Sequence, residues 1–439
     1  MLLSVLLPTR DRLEYLRHAV ESVRRQEGED WEIVVSDNDS TEDVAGYVAS
    51  LEDPRIRYVR TPRFVPVTEN WNNALRHSRG DYVVMLGDDD ALLPGYLRAL
   101  TELVARFQDP DVIYTGALLF AYPGVSPDEP GGYVQPYSYA PFFDGAEEPF
   151  LLDRGRARSL VADAMNFRVS YGFNMQYVAV RREAAFALAD GSDFFRSPFP
   201  DYYAMNLLFE RAPTIVVDPH ERVAIGITKS SYGYFHANQR EAEARALLNN
   251  EATDPEIRRD LSDVLMPGTN INTGWLLAME ALHRRLGRPA DLRPDYERYR
   301  RLQAVYCYQH HYFDATVSAA DLAVARRRLT ARERAVLFAG AAVGGRLAKV
   351  MPTRLRRFAG ALLDRVQRQY RRGWQPERTV GRYADVMELY AALDERTASA
   401  PGPARDHAGG GADGHGAGRD VVAHHRVGAD DGALTDRHP

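Results

Sequence analysis

Gly80-Asp81-Tyr82-Val83-Val84-Met85-Leu86-Gly87-Asp88-Asp89-Asp90 is an apolar run that ends in three consecutive carboxylates. Tyr82 to Leu86 is short, apolar and rich in β-formers, which reads as a buried strand. Three acids at its carboxyl end repel one another and lose hydration when partly buried. A divalent cation resolves that conflict, because hard ions take oxygen ligands and Mg2+ is commonly held by one or two carboxylates plus substrate phosphates. Ligand crevices of open α/β sheets also lie beyond the carboxyl ends of strands. The competing reading is a solvated turn ahead of a helix, since Asp favours turns and N-caps.

Working outward, residues 1–115 alternate between apolar strands and helical patterns. Leu2 to Leu7, Trp31 to Val35, Ile56 to Val59, Tyr82 to Leu86 and Val112 to Tyr114 read as strands. Apolar residues at helical spacing follow the first (Leu13, Leu16, Ala19, Val20, Val23) and the second (Val44, Tyr47, Val48, Leu51). Asn70 to His77 reads as a helix, and another begins at Pro94, whose fixed φ and missing N–H suit a helix start. This alternation predicts an α/β fold with a Rossmann-like, mostly parallel sheet flanked by helices.

Polar residues gather at the carboxyl ends of three of these strands: Thr9, Arg10 and Arg12; Asp37 and Asp39; Asp88, Asp89 and Asp90. A carboxylate such as Asp37 can accept a hydrogen bond from a pyrimidine N–H. The arginines can meet phosphate with fork-shaped donors, and the acids can hold a metal that bridges a diphosphate. Neither Gly-x-Gly-x-x-Gly nor Gly-x-x-x-x-Gly-Lys-Ser/Thr follows the first strand, so dinucleotide and P-loop readings lack their phosphate cradle.

Together these segments resemble the family 2 glycosyltransferases, sugar-nucleotide enzymes of the GT-A fold. Leu6-Leu7-Pro8-Thr9-Arg10-Asp11-Arg12 resembles their opening strand and loop, and Val34-Val35-Ser36-Asp37-Asn38-Asp39-Ser40-Thr41 their Asp-Asp-Gly-Ser segment, with the base-contacting Asp at Asp37. The quoted acid strand, with Leu92 to Leu97 behind it, resembles their metal motif, whose usual first Asp falls on Gly87. The resemblance implies nucleotide-sugar binding by Pro8, Thr9, Arg10, Arg12, Asp37, Asp39, Asp88 and Asp89, and a divalent ion, Mn2+ or Mg2+, on Asp90 with help from Asp88 or Asp89. Asn70 or Asn73 would replace a missing Arg before the acid strand; capping, with Trp71 in the core, is the alternative.

Residues 116–239 are expected to supply the acceptor-binding half, after 1–115 as the nucleotide-sugar half. Between 116 and 160, Pro, Gly, Tyr and Phe suggest a structured loop over a site. Tyr171 to Val180 reads as a strand, with a helix from Arg182. Asp201 opens a further helix, where an Asp suits an N-cap; by the family resemblance it is the general base, with Pro200 in place of the usual acidic partner. Ile225 to His236 reads as a closing strand and loop, in which Lys229 is a candidate diphosphate contact and His236 a candidate metal ligand. The implied reaction is inverting transfer from a nucleoside-diphosphate sugar, UDP-type by preference, to a hydroxyl acceptor.

Residues 240–395 read as a helical region. It carries Arg326-Arg327-Arg328, Arg332, Arg334, Arg346, Lys349, Arg354, Arg356, Arg357, Arg365, Arg368, Arg371 and Arg372, a strongly basic zone. Such helices read either as peripheral membrane contact, with a lipid-linked or envelope-glycan acceptor, or as a solvated basic face. Residues 396–439, with Pro401-Gly402-Pro403 and Gly409-Gly410-Gly411, read as a disordered tail. A formal charge of −6 gives no support for a nucleic-acid partner. The single cysteine, Cys307, excludes an intrachain disulfide framework. The opening strand leaves no signal-peptide pattern, and a cytoplasmic location is expected. A sugar-1-phosphate nucleotidyltransferase would want a glycine-bearing loop after the first strand. A degenerate nucleotide-sugar-binding module is kept open by Gly87 and Pro200.

Overall fold

Alternating apolar runs become a ten-stranded mixed sheet with helices on its faces. The computed structural model describes residues 1–126, 129–137, 143, 145–237, 240–250, 253–312, 316–343 and 381–399. The strands are β1 (Leu3–Thr9), β2 (Trp31–Asp37), β3 (Ile56–Arg60), β4 (Tyr82–Met85) and β5 (Ala91–Leu92) in the first part. They continue as β6 (Val112–Ala121), β7 (Tyr133–Pro136), β8 (Phe150–Leu151), β9 (Val178–Arg181) and β10 (Ile215–Ile227). The order is β3-β2-β1-β4-β9-β6-β10-β5, with β7 on β6 and β8 on β10.

The first four strands pair in parallel, as expected from their strand–helix alternation. Beyond β4 the sheet turns mixed. β9 lies antiparallel between β4 and β6, with Val83 opposite Val180 and Ile113 opposite Ala179, whereas β10 runs parallel to β6. Parallel β1, β2 and β4 aim their carboxyl ends at one edge, which gathers Thr9, Asp37 and Asp88.

Several boundaries differ from the sequence reading, each for a local reason. Residues 116–121 extend β6 rather than opening a loop; every residue of β6 is buried, so it shows a continuous apolar run with no alternation. Arg154–Met165 is a helix whose N-cap, Asp153, accepts from the Arg156 amide at 2.9 Å. Only the end of the expected strand at Tyr171 to Val180 is extended, because Met175–Tyr177 forms a 3-10 turn. The helix after Pro94 begins at Tyr96, with Gly95 in the left-handed region at φ 76° as its cap. Tyr232–Ala237 is helical where a loop was expected.

The C-terminal helix Asn270–Arg285 packs against helix Pro200–Arg211. Trp275, on helix Asn270–Arg285, is buried and donates its indole N–H to the Ala164 carbonyl at 3.0 Å. Residues Met1 to Thr397 form one compact unit. Of the basic zone, residues 344–380 lie outside the described residues, as does the tail from 400. Among the described residues no helix is long and apolar enough to cross a membrane.

Candidate functional site

The three acids leave β4 in a tight turn closed by the Asp90 amide donating to the Gly87 carbonyl at 3.1 Å. All three are buried, and each has different partners. Asp88 accepts from the Thr9 hydroxyl at 2.8 Å and pairs with the Arg12 guanidinium at 2.8 Å. Asp89 pairs with the same guanidinium at 2.6 Å and accepts from the Ser231 hydroxyl at 2.5 Å. Arg12 also donates to the Thr228 hydroxyl at 2.8 Å. One fork therefore bridges two carboxylates, a geometry Lys cannot reproduce. Burial raises the Asp88 carboxyl; Arg12 opposes that rise, and the charge of Asp89 adds to it.

Asp90, the residue expected to carry the ion, is held from within the protein. Both of its oxygens are taken by protein donors: the Gly87 amide at 2.8 Å, the Gln176 side-chain amide at 2.9 Å and the Gly226 amide at 2.8 Å. Burial, then the neighbouring Asp89 charge, raises its carboxyl. Asp90 thus ties the turn to β10 and to the 3-10 turn before β9.

A cavity of about 160 Å³ opens beside this turn; Pro8, Thr9, Arg10, Arg12, Asp88 and Asp89 form part of its wall. Trp71 packs against the core as expected, with its ring edge-on to Phe195 at 5.2 Å, and also stands on the cavity wall. Asn38, Gln176, Leu247 and Leu248 also line it and were missed from the sequence. Asn38 stood inside the polar stretch after β2. Gln176 and the two leucines gave no signal, since each reaches the cavity only through the tertiary fold.

The expected nucleoside side is built from buried polar groups. Asp37 is fully buried and accepts from the Ser40 amide at 2.8 Å, the Tyr58 hydroxyl at 2.6 Å and Arg60 at 3.3 Å. Asp39 takes a left-handed φ of 59° and pairs with Arg60 at 2.8 Å. Arg10 donates to the carbonyls of Asn38 and Asp39 at 2.7 and 2.9 Å and stacks over Phe64 at 3.9 Å. Asn70 lines the cavity, but its side chain exchanges two hydrogen bonds with Ser36, at 2.7 and 3.1 Å.

Asp201 stands in the first turn of helix Pro200–Arg211, and its carboxylate accepts from the Tyr202 amide at 2.9 Å. Desolvation lifts its carboxyl to about 7, against the pull of the backbone amides. Its charge reaches the Tyr137 hydroxyl, which also feels Asp90; both charges add to the rise that burial causes in that tyrosine. Asp201 is not among the residues lining the cavity. Lys229 is exposed and lies against Gly124, away from the cavity wall. The side chain of His236 lies outside the described residues.

Among the described residues no group of three or more His, Cys, Asp and Glu side chains converges as a metal cage. Asp88 and Asp89 do present hard oxygen donors at the cavity wall, with a single Arg12 charge between them. Two carboxylates plus substrate phosphates are a sufficient donor set for such an ion. Asp88 and Asp89 are the carboxylates on the cavity wall, and Asp90 is not among its lining residues.

Residues 4–158 match the family model for glycosyl transferase family 2. A Campylobacter jejuni protein, GalNAc(5)-diNAcBac-PP-undecaprenol beta-1,3-glucosyltransferase, is 38% identical over 23% of this chain and 33% of its own length. The Escherichia coli putative colanic acid biosynthesis glycosyl transferase WcaA is 32% identical over 31% of this chain and 47% of its own. The chain thus spans between a third and a half of these relatives' lengths. The solved S. aureus TarS 1-349 covers 70% of this chain and 91% of its own at 15% identity and a TM-score of 0.42, a loose likeness. With the acid turn and the parallel β1–β4 core inside the matched span, the N-terminal part of this chain belongs to glycosyl transferase family 2.

Proposed function

We propose that the chain is an inverting glycosyltransferase that moves a sugar from a nucleoside-diphosphate sugar, UDP-type, to a hydroxyl acceptor. The observation that carries this reading is the convergence of Thr9, Arg12, Asp88 and Asp89 on one cavity within a family 2 domain. Pro8, Arg10 and Asn38 form the nucleoside wall, with Asp37 and Asp39 fixing that loop from behind. Arg12 offers a guanidinium to the donor's phosphates. Asp88 and Asp89 would hold Mn2+ or Mg2+, whose charge stabilises the departing diphosphate.

Asp201 removes the proton of the acceptor hydroxyl as it attacks the anomeric carbon from the face opposite the leaving group. A carboxyl at about 7 suits that role, because a general base works best with its pKa near the working pH. We place the acceptor on a lipid or envelope glycan. The Campylobacter relative is named for an undecaprenol-linked acceptor, and the basic zone from Arg326 to Arg372 suits an anionic membrane surface. On this reading the enzyme works at the inner face of the membrane as a peripheral protein.

Calorimetric titration with UDP-, dTDP- and GDP-sugars, with Mn2+ and with EDTA, tests the donor assignment. Saturable binding of one donor class supports it, and binding of none contradicts it. Co-sedimentation with anionic and neutral vesicles tests the surface: retention on anionic vesicles alone is expected, and equal loss from both removes the membrane claim.

A further inference from the structure

The apolar layer behind the acid turn is completed from the far end of the chain. Val386 and Leu389, 0% and 1% exposed, join Ala91, Leu93, Tyr122 and Ala224 in one buried cluster, separate from the main core. They belong to helix Val386–Ser399, nearly three hundred residues beyond the turn they cover. The approach is fixed at three points. The Val134 amide donates to the Gly381 carbonyl at 3.2 Å, Arg382 pairs with Glu129 at 2.5 Å, and the Tyr390 hydroxyl donates to the Arg25 carbonyl at 3.1 Å.

Two residues of the cluster adjoin the groups that hold the acids. Ala91 directly follows Asp90 and, as part of β5, pairs with Ala224 of β10. Two residues past Ala224, the Gly226 amide holds the Asp90 carboxylate. Tyr122 lies near enough to Asp89, Asp90 and Asp385 for each to act on its hydroxyl, which is buried without a hydrogen-bond partner among the described residues. β5 is held by its pairing with β10 and by the Leu92 amide donating to the Ser22 hydroxyl at 3.1 Å, and the cluster packs beside these bonds. A void left there would let the turn relax.

We propose that Val386 and Leu389 are positioning residues of the donor site: by completing the buried cluster that also holds Ala91 and Ala224 they fix the turn that carries Asp88 and Asp89. The family match ends at residue 158, so this assigns part of the site to a segment beyond it. The inference rests on the reading of the acid turn as the donor site.

The test uses the full-length chain with Leu389→Ala, Leu389→Val as a milder change should the first not fold, and Leu389→Met as the conservative control. Amide hydrogen exchange without ligand reads the turn directly. Faster exchange is expected at the Asp90 and Gly226 amides in the truncated variants, no change in β2, and restoration by Leu389→Met. Donor KM should rise on the order of tenfold for protein that is still folded, since misplacing site groups by about 1 Å can cost about 10²-fold. A lower Tm with unchanged exchange at Gly226 and unchanged KM would make the helix merely structural and overturn the proposal. If wild type handles no donor, the functional reading fails, and the exchange result still decides whether the helix positions the turn.

Discussion

The Gly226 amide donates a 2.8 Å hydrogen bond to Asp90 across 136 residues of sequence. The two backbones are so close that a Cβ on Gly226 would lie 1.9 Å from the Asp89 carbonyl oxygen. Gly226→Ala must therefore push β10 away from the acid turn. Overpacking of this kind costs about 1–3 kcal/mol, so the variant should melt lower and lose donor affinity together. Calorimetry and a donor titration check this; unchanged values in both would show that the turn can yield.

Asp201 sets the expected pH profile. Its carboxyl is raised to about 7 by burial, and a base must be ionised to act. The rate should therefore climb as pH rises through about 7. The sign for stability is opposite: a carboxyl raised by folding favours the native state while protonated, and that contribution fades as pH rises through the same value. Asp201→Asn should cost about 10²–10⁴-fold in rate while leaving Tm at pH 8 unchanged or higher. A lower Tm at pH 8 would show that Asp201 is held as a structural carboxylate.

Arg12 is the counter-charge of the turn. Arg12→Ala leaves Asp88 and Asp89 buried without their partner, and breaking a buried pair in this way costs about 3–5 kcal/mol. Arg12→Lys should recover less than half of that, because an ammonium cannot bridge both carboxylates in the plane of a fork. Urea unfolding of the two variants at pH 7 and pH 5 measures it. The loss should shrink at pH 5, where protonation of Asp88 becomes easier than for an ordinary carboxyl.

The cavity is too small as it stands. About 160 Å³ is available beside Asp88 and Asp89, whereas ligand pockets usually hold roughly 300–1,000 Å³. Leu247 and Leu248, at the end of helix Glu241–Leu248, form one wall, and on that helix's other side Ala242, Arg245 and Ala246 border a second cavity of about 520 Å³. Donor binding should shift this helix into that space. A fluorophore at Ala246→Cys reports the shift cleanly, since the native Cys307 is buried. No spectral change at saturating donor would contradict it.

The order of strands and helices through β4 was legible because one-sided helices and buried strands leave period-specific patterns. The acid turn was legible because two other polar strand ends accompany it, at Thr9 to Arg12 and at Asp37 to Asp39; alone, three acids also suit a solvated turn. What escaped the sequence was set by distant partners. Nothing local distinguishes Asp90, bound by Gln176 and Gly226, from Asp89, bound by Arg12 and Ser231. Leu389 behind the turn and Leu248 on the cavity wall are ordinary helical leucines until the chain is folded. In the mixed half the strands at Val112, Val178 and Ile225 were legible in part, but the full length of β6 was not, because it is buried throughout and shows no alternation.

The most direct test of the account is nucleoside diphosphate release from the donor that binds, compared between wild type and Asp201→Asn with a hydroxyl acceptor present. The account predicts release by wild type and its loss in Asp201→Asn at unchanged donor affinity. Equal release by both proteins would contradict the assignment of Asp201 as the base, and release by neither, with donor bound and acceptors varied, would contradict the transferase itself.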